Sequence, residues 1–308
     1  MSDCAAVVRD APTGDEARGA VMALTAYGLW GLLPIYWKLL DAVPPLEILA
    51  HRVVWSLAFV AALLAATGGL ARVRAHLREP AVRRALLAST ALIATNWGLF
   101  IYAVSADRIT DASLGYYVNP LLSIALGRVF LGERLRPLQL AAVGLAACGV
   151  IWLTAAKASL PWISLVLALT FGLYGLVRKR VAVSAVDGLA IETALTSPFA
   201  LAYLALLTPA LGHLRTSAPS TVALLVASGA VTAIPLLAFA GAARRLRLGT
   251  LGMVQYVAPT LQLACAVALY GEPFGRHEAI TFGLIWSAVL LYAADALRHR
   301  ARSPAPAS

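Results

Sequence analysis

Ten nearly uninterrupted apolar stretches, each close to twenty residues long, constrain this chain more than any other feature. At 1.5 Å rise per residue, helices of that length match the roughly 30 Å hydrocarbon layer of a bilayer. Spans are expected at about Gly19–Leu39, Leu46–Ala66, Leu86–Ala106, Leu114–Leu131 and Leu138–Ala155, then Leu160–Val177, Leu189–Leu211, Val222–Ala242, Leu251–Tyr270 and Ile280–Leu297. Composition agrees. Hydrophobic residues make up 60% and charged residues 13% of the chain. An ordinary soluble domain carries about twice that charge.

The net charge of +10 raises the question of a nucleic-acid partner, which the placement of the basic residues answers. They fall in alternate loops rather than in one patch. With the amino terminus cytoplasmic, that side receives 19 of the 25 basic residues, in clusters such as Arg72, Arg74 and Arg78, Arg178–Arg180, and Arg244, Arg245 and Arg247. The opposite loops receive Arg108, Lys157, Arg215 and Arg276, while Lys38 and Arg52 lie within spans. Such asymmetry places both termini in the cytoplasm and needs no nucleic acid. Residues 1–18 contain acids and no apolar core, so no cleavable secretory signal is expected. The three cysteines lack metal-ligand spacing, and Cys148 and Cys265 read as small packing residues.

Self-similarity is the second strong signal. YGLWGL at Tyr27–Leu32 returns as FGLYGL at Phe171–Leu176, and YVNPLLSIALGRVFLGE from Tyr117 to Glu133 returns as YVAPTLQLACAVALYGE from Tyr256 to Glu272. Five spans per half force the second half to enter the membrane upside down, as in many secondary transporters. The fold expected is an all-α integral membrane protein of ten transmembrane helices in two inverted five-helix repeats. Residues 19–156 form the first repeat and 157–300 the second, with cytoplasmic tails at 1–18 and 301–308. Small residues such as Gly28, Gly31, Gly172 and Gly175 allow close helix contact, and Pro34, Pro120, Pro198, Pro235 and Pro259 are positioned to kink their helices.

Charge inside hydrocarbon is costly, so ionisable residues there are expected to face the bundle interior. Glu47, His51 and Arg52 stand at the start of the second span, with His51 one turn from Glu47 on the same face. The repeat places Glu192 opposite Arg52, which suggests an ion pair between them. Asn96 and Trp97, Tyr117 and Asn119, and Gln255 and Tyr256 supply amide and aromatic groups at membrane depth. That lining suits a small amphipathic organic molecule better than a bare ion. No nucleophile elbow, zinc-protease motif, glycine-rich phosphate loop or other cofactor signature is present.

Long consecutive stretches resemble permeases of the EamA family in the drug/metabolite transporter superfamily. They include AYGLWGLLPIYWK at Ala26–Lys38, EILAHRVVWS at Glu47–Ser56 and NWGLFIYAV at Asn96–Val104. ASLGYYVNPLLSIALGRVFLGER at Ala112–Arg134, FGLYGLVRK at Phe171–Lys179, IET at Ile191–Thr193, RRLRLGTLGMVQYVAPT at Arg244–Thr260 and YGE at Tyr270–Glu272 continue the match. The resemblance implies ten helices in two EamA repeats, a bacterial inner-membrane location and permease activity, with no substrate named. The residues themselves point to alternating access by rocking of the two halves, a lipid bilayer as surroundings and a small molecule as cargo. Protons as coupling ion, relayed by His51 and Glu47, a homodimer as assembly, and a lipid or isoprenoid-carrier flippase as alternative activity stay open. A membrane enzyme is the least favoured reading.

Overall fold

A computed structural model describes residues 13–105, 109–156, 162–207, 212, 218–271 and 275–302. Among these residues the secondary structure is entirely helical. The helices are α1 (Thr13–Lys38), α2 (Pro45–Ala66), α3 (Leu70–Arg78), α4 (Pro80–Ser105), α5 (Ile109–Leu131) and α6 (Pro137–Ala156). They continue as α7 (Trp162–Arg180), α8 (Ala185–Leu206), α9 (Pro219–Arg245), α10 (Leu248–Gln255), α11 (Val257–Tyr270) and α12 (Arg276–Arg302). Eight segments, with α10 and α11 taken together, are long and apolar enough to cross a membrane. The α4 and α5 helices, 26 and 23 residues long, reach across the same thickness.

Three details depart from the sequence expectation. The stretch before the third span holds a short helix, α3, which carries no buried residue and bears Arg72, Arg74, His76 and Arg78. The helix of the third span, α4, starts at Pro80 rather than Leu86, because a proline at the first position lacks only an N–H that would have had no helical partner. The ninth span is broken at Tyr256. Pro259 cannot donate to the carbonyl of Gln255, and its ring crowds that carbonyl, which allows α10 to stop and α11 to begin anew there. The expected positions Arg108, Lys157, Arg215 and Glu272 lie outside the described residues.

Two left-handed glycines end equivalent helices. Gly132, at φ 64°, follows α5, and Gly271, at φ 66°, follows α11. These are the glycines of the repeated Gly-Glu pair, and only glycine takes that conformation without steric cost. After Gly132 the chain turns back so that the Glu133 N–H meets the Gly127 carbonyl at 3.1 Å.

Helix packing has a matching regularity. The α1 helix lies against α9 and α11, as α7 lies against α4 and α5. The pairs α2 with α8, α5 with α10, and α6 with α12 join spans five apart in the chain. Contacts of this kind need small residues where backbones cross. A Cβ at Gly252 would stand 2.7 Å from the Pro120 carbonyl, and one at Gly229 would collide with the backbone of Trp55. Van der Waals fit of this kind holds helices together where lipid removes most of the hydrophobic drive.

Charged groups gather at one end of the bundle. Arg245 pairs with Asp15 at 2.9 Å and Arg136 with Asp295 at 2.6 Å, while Arg72 and His76 each lie 3.5 Å from Asp187. The opposite end carries the turn at residues 39–44 between α1 and α2.

Candidate functional site

A cavity of about 320 Å³ opens among α1, α2, α4, α5, α7, α9 and the broken α10–α11 helix. It runs from the middle of the bundle toward the 39–44 end, since its lining includes Trp30 to Trp37 of α1, Arg52 of α2 and Asn96 to Phe100 of α4. Among the described residues Arg52 is the single charged one of that lining.

Several contacts fix the Arg52 guanidinium. Its Nε donates to Thr232 Oγ1 at 2.9 Å, and its Cζ lies 4.8 Å from the Trp37 ring centroid and 5.8 Å from that of Trp97. The aromatic faces favour the cation and the hydroxyl orients it. Among the described residues no carboxylate lies within 4.0 Å of it, and neither terminal nitrogen donates a hydrogen bond.

Amides complete the wall. Asn96 Nδ2 donates to the Leu167 carbonyl at 2.9 Å and Thr170 Oγ1 at 3.0 Å, which ties α4 to α7 and leaves the Asn96 oxygen for other partners. Gln262 Nε2 donates to the Trp30 carbonyl at 3.1 Å. Asn119 is buried at the wall, and its Oδ1 has no hydrogen-bond partner among the described residues. Gln255 borders the space one residue before the helix break.

The floor is aromatic, and the repeated hexapeptides build it. Trp30 of the first copy meets Phe171 of the second at 5.7 Å, and both pack on Phe239, at 5.7 and 5.1 Å. Tyr174 stacks on Phe239 with ring planes 15° apart and lies 6.0 Å from Phe171. Below this layer Tyr27, Ala242, Leu246, Leu248 and Leu251 form a tight apolar plug. At its outer edge the Glu133 carboxylate accepts from the N–H groups of Leu248 at 2.7 Å and Gly249 at 3.0 Å, capping α10 with a residue from the end of α5.

The expected site residues thus divide. Arg52, Asn96, Trp97, Asn119 and Gln255 line the cavity together. Tyr117 instead packs on Phe282 at 5.6 Å and accepts at its carbonyl from the Tyr256 hydroxyl at 3.3 Å, so the mirrored tyrosines join the two helices behind the wall. Glu47 and His51, 1% and 3% exposed, lie outside the lining, with His51 Nε2 3.8 Å from Glu47 Oε1.

Glu192 does not pair with Arg52. Its Oε1 accepts from Ser89 Oγ at 2.6 Å and its Oε2 from the Tyr174 hydroxyl at 3.2 Å, with Arg178 Nη1 at 3.6 Å. Arg178 reaches it because Gly188 offers no Cβ; a methyl there would overlap the guanidinium. Arg178 had been assigned by sequence to a basic loop, and its position in a run of three bases gave no sign of burial. Trp37, Thr232 and Phe239 were likewise missed, since a single tryptophan, threonine or phenylalanine in an apolar span carries no periodic signal. Among the described residues no three His, Cys, Asp or Glu side chains converge as a metal set.

Comparison with known proteins names the family. The model of the EamA-like transporter family matches residues 17–155. Protein RarD of Salmonella typhi is 46% identical over 281 residues, covering 91% of this chain and 96% of that protein. The chain belongs to the EamA family. A second relative, an uncharacterized transporter of Vibrio cholerae, is 45% identical over 292 residues, covering 94% and 96% of the two chains. One crystal structure, 23% identical in sequence, superposes with a TM-score of 0.71 over 91% of this chain and 98% of its own, which shows a shared fold. Its relatives make this EamA protein a multi-pass membrane protein of the transporter kind.

Proposed function

We propose that this protein is a secondary permease of the bacterial inner membrane in which residues 19–156 and 157–300 rock against each other and move a small amphipathic organic molecule through the Arg52 cavity. Both chain ends then lie in the cytoplasm, where the positive-inside rule puts the basic end of the bundle. One observation carries the reading. The cavity sits at mid-depth between helices of both halves, walled by aromatic rings and amides, and a packed aromatic and aliphatic plug separates it from the basic end. That is the arrangement of a path open to one side, and a transporter's binding site commonly lies near the midplane where its repeats meet.

Rocking about this site requires the plug to part. The Glu133 cap on α10 is one of the polar contacts that fasten the two halves at that end, beside the pairs of Arg136 with Asp295 and Arg72 with Asp187, and it is the one that holds α10. Its loss frees α10 to swing with the break at Tyr256 as hinge. Coupling to protons fits the placement of Glu47 and His51, a buried pair on α2 whose histidine directly precedes Arg52. Binding and release of a proton there alters the charge next to the site as it turns from one side to the other.

Untargeted metabolite profiles of cells lacking the protein and cells overproducing it, taken inside and outside the cell, test the reading. Opposite redistribution of a small set of amphipathic compounds is expected. Profiles identical in both strains contradict it.

A further inference from the structure

We propose that the cargo is an organic anion with a flat apolar body, and that Arg52 is the residue that pairs with its negative charge. The proposal rests on the cavity being the permease's binding site and adds the charge and shape of what enters it.

The cavity has an unbalanced charge. Arg52 is half-buried at its wall, and among the described residues no carboxylate lies within 4.0 Å and no acidic side chain joins the lining. Arg178, the one Lys or Arg fully buried among the described residues, faces Glu192, and the half-buried Arg136 faces Asp295. A cation in low dielectric without a counter-charge is costly, so a site that keeps one is built for an anion to complete it.

The guanidinium is also held ready. One N–H is committed to Thr232 Oγ1, and the rings of Trp37 and Trp97 lie 4.8 and 5.8 Å from its Cζ. The two terminal nitrogens, with no acceptor among the described residues, form the planar fork that binds a carboxylate or phosphate through two hydrogen bonds. Shape agrees with charge. Beside Arg52 the same cavity is lined by Trp97, Phe100 and Phe171, rings that suit an aromatic or similarly flat apolar group through offset or edge contact. A free inorganic ion would leave those rings without a partner. A cationic molecule would meet Arg52 with repulsion and find no acid in the lining.

Binding of 2-naphthoate, its neutral analogue 2-naphthamide and the cation 2-naphthylmethylamine to the purified protein in phosphatidylcholine nanodiscs tests this, followed by tryptophan fluorescence with Trp37 and Trp97 beside the site. Naphthoate is expected to bind about ten- to a hundredfold more tightly than naphthamide, the worth of a charge-assisted pair, and the cation more weakly than either. Arg52→Gln is expected to abolish that preference, whereas Arg52→Lys keeps part of it by retaining the charge without the fork. Equal or tighter binding of the neutral or cationic probe overturns the proposal, and so does a charge preference unchanged in Arg52→Gln. Absence of naphthoate binding to wild-type protein with an intact thermal transition overturns it too. The wild-type series decides the matter even where Arg52→Gln does not fold. Phosphatidylglycerol in the nanodisc identifies the source: displacement of naphthoate assigns the anion to a lipid headgroup, and no displacement assigns it to a soluble molecule. Naphthoate that binds with charge preference yet is never moved across a bilayer refutes the permease, not the anion site; flux of neutral cargo alone does the reverse.

Discussion

Arg178 and Glu192 face each other across 3.6 Å on α7 and α8, 1% and 2% exposed, with the Ser89 and Tyr174 hydroxyls completing the carboxylate's partners. The ion pair binds three helices into one block beside the cavity and leaves Arg52 to face the open space.

Removing one member strands the other. Glu192→Leu, or Arg178→Met alone, is expected to cost about 3–5 kcal/mol of stability, whereas the double replacement costs less than either. Unfolding in mild detergent, followed by helical circular dichroism, measures this. Single and double variants of equal stability contradict the pairing.

Gly132 and Gly271 offer a test of the repeat. Each holds the left-handed conformation after equivalent helices, so alanine at either position is expected to cost about 1 kcal/mol, by similar amounts at both. The same melting measurement applies. A penalty at one position alone shows that the two turns differ in their demands.

Thr232→Val removes the acceptor that orients Arg52 and keeps the side chain's shape. Weaker naphthoate binding, by about tenfold, is expected with the melting temperature within a few degrees of wild type. Unchanged affinity means that Trp37 and Trp97 suffice to place the guanidinium.

Proton coupling makes a separate demand. Flux into proteoliposomes is expected to rise with an imposed pH gradient in wild type, and to lose that dependence in Glu47→Gln while equilibrium exchange continues. Wild-type flux indifferent to the gradient removes Glu47 and His51 from the cycle.

The helical architecture was legible because lipid imposes length and hydropathy on every crossing, and those are one-dimensional properties of a sequence. The same logic exposed YGLWGL and its copy as related segments. It did not reveal that Trp30 and Phe171 meet, because contact across a bundle depends on how the helices rotate about their axes. Arg52 was found since a lone cation in an apolar run stands out, but its partner was misjudged. Symmetry pointed to Glu192, whereas the space left by Gly188 let Arg178 reach that carboxylate first. The break at Tyr256 was encoded in Pro259 alone, and the same proline in α5, Pro120, leaves its helix continuous. Local sequence therefore allowed the break without fixing it.

Side-specific labelling of the cavity tests the central claim most directly. In protein whose cysteines are replaced by serine, Leu33→Cys at the cavity wall reports access to a membrane-impermeant maleimide, applied to the periplasmic face of spheroplasts or the cytoplasmic face of inverted vesicles. The account predicts labelling from the periplasmic face alone, and labelling from both faces once Glu133→Ala uncaps α10. Protection from both faces, access from the cytoplasmic face alone, or no effect of Glu133→Ala contradicts it.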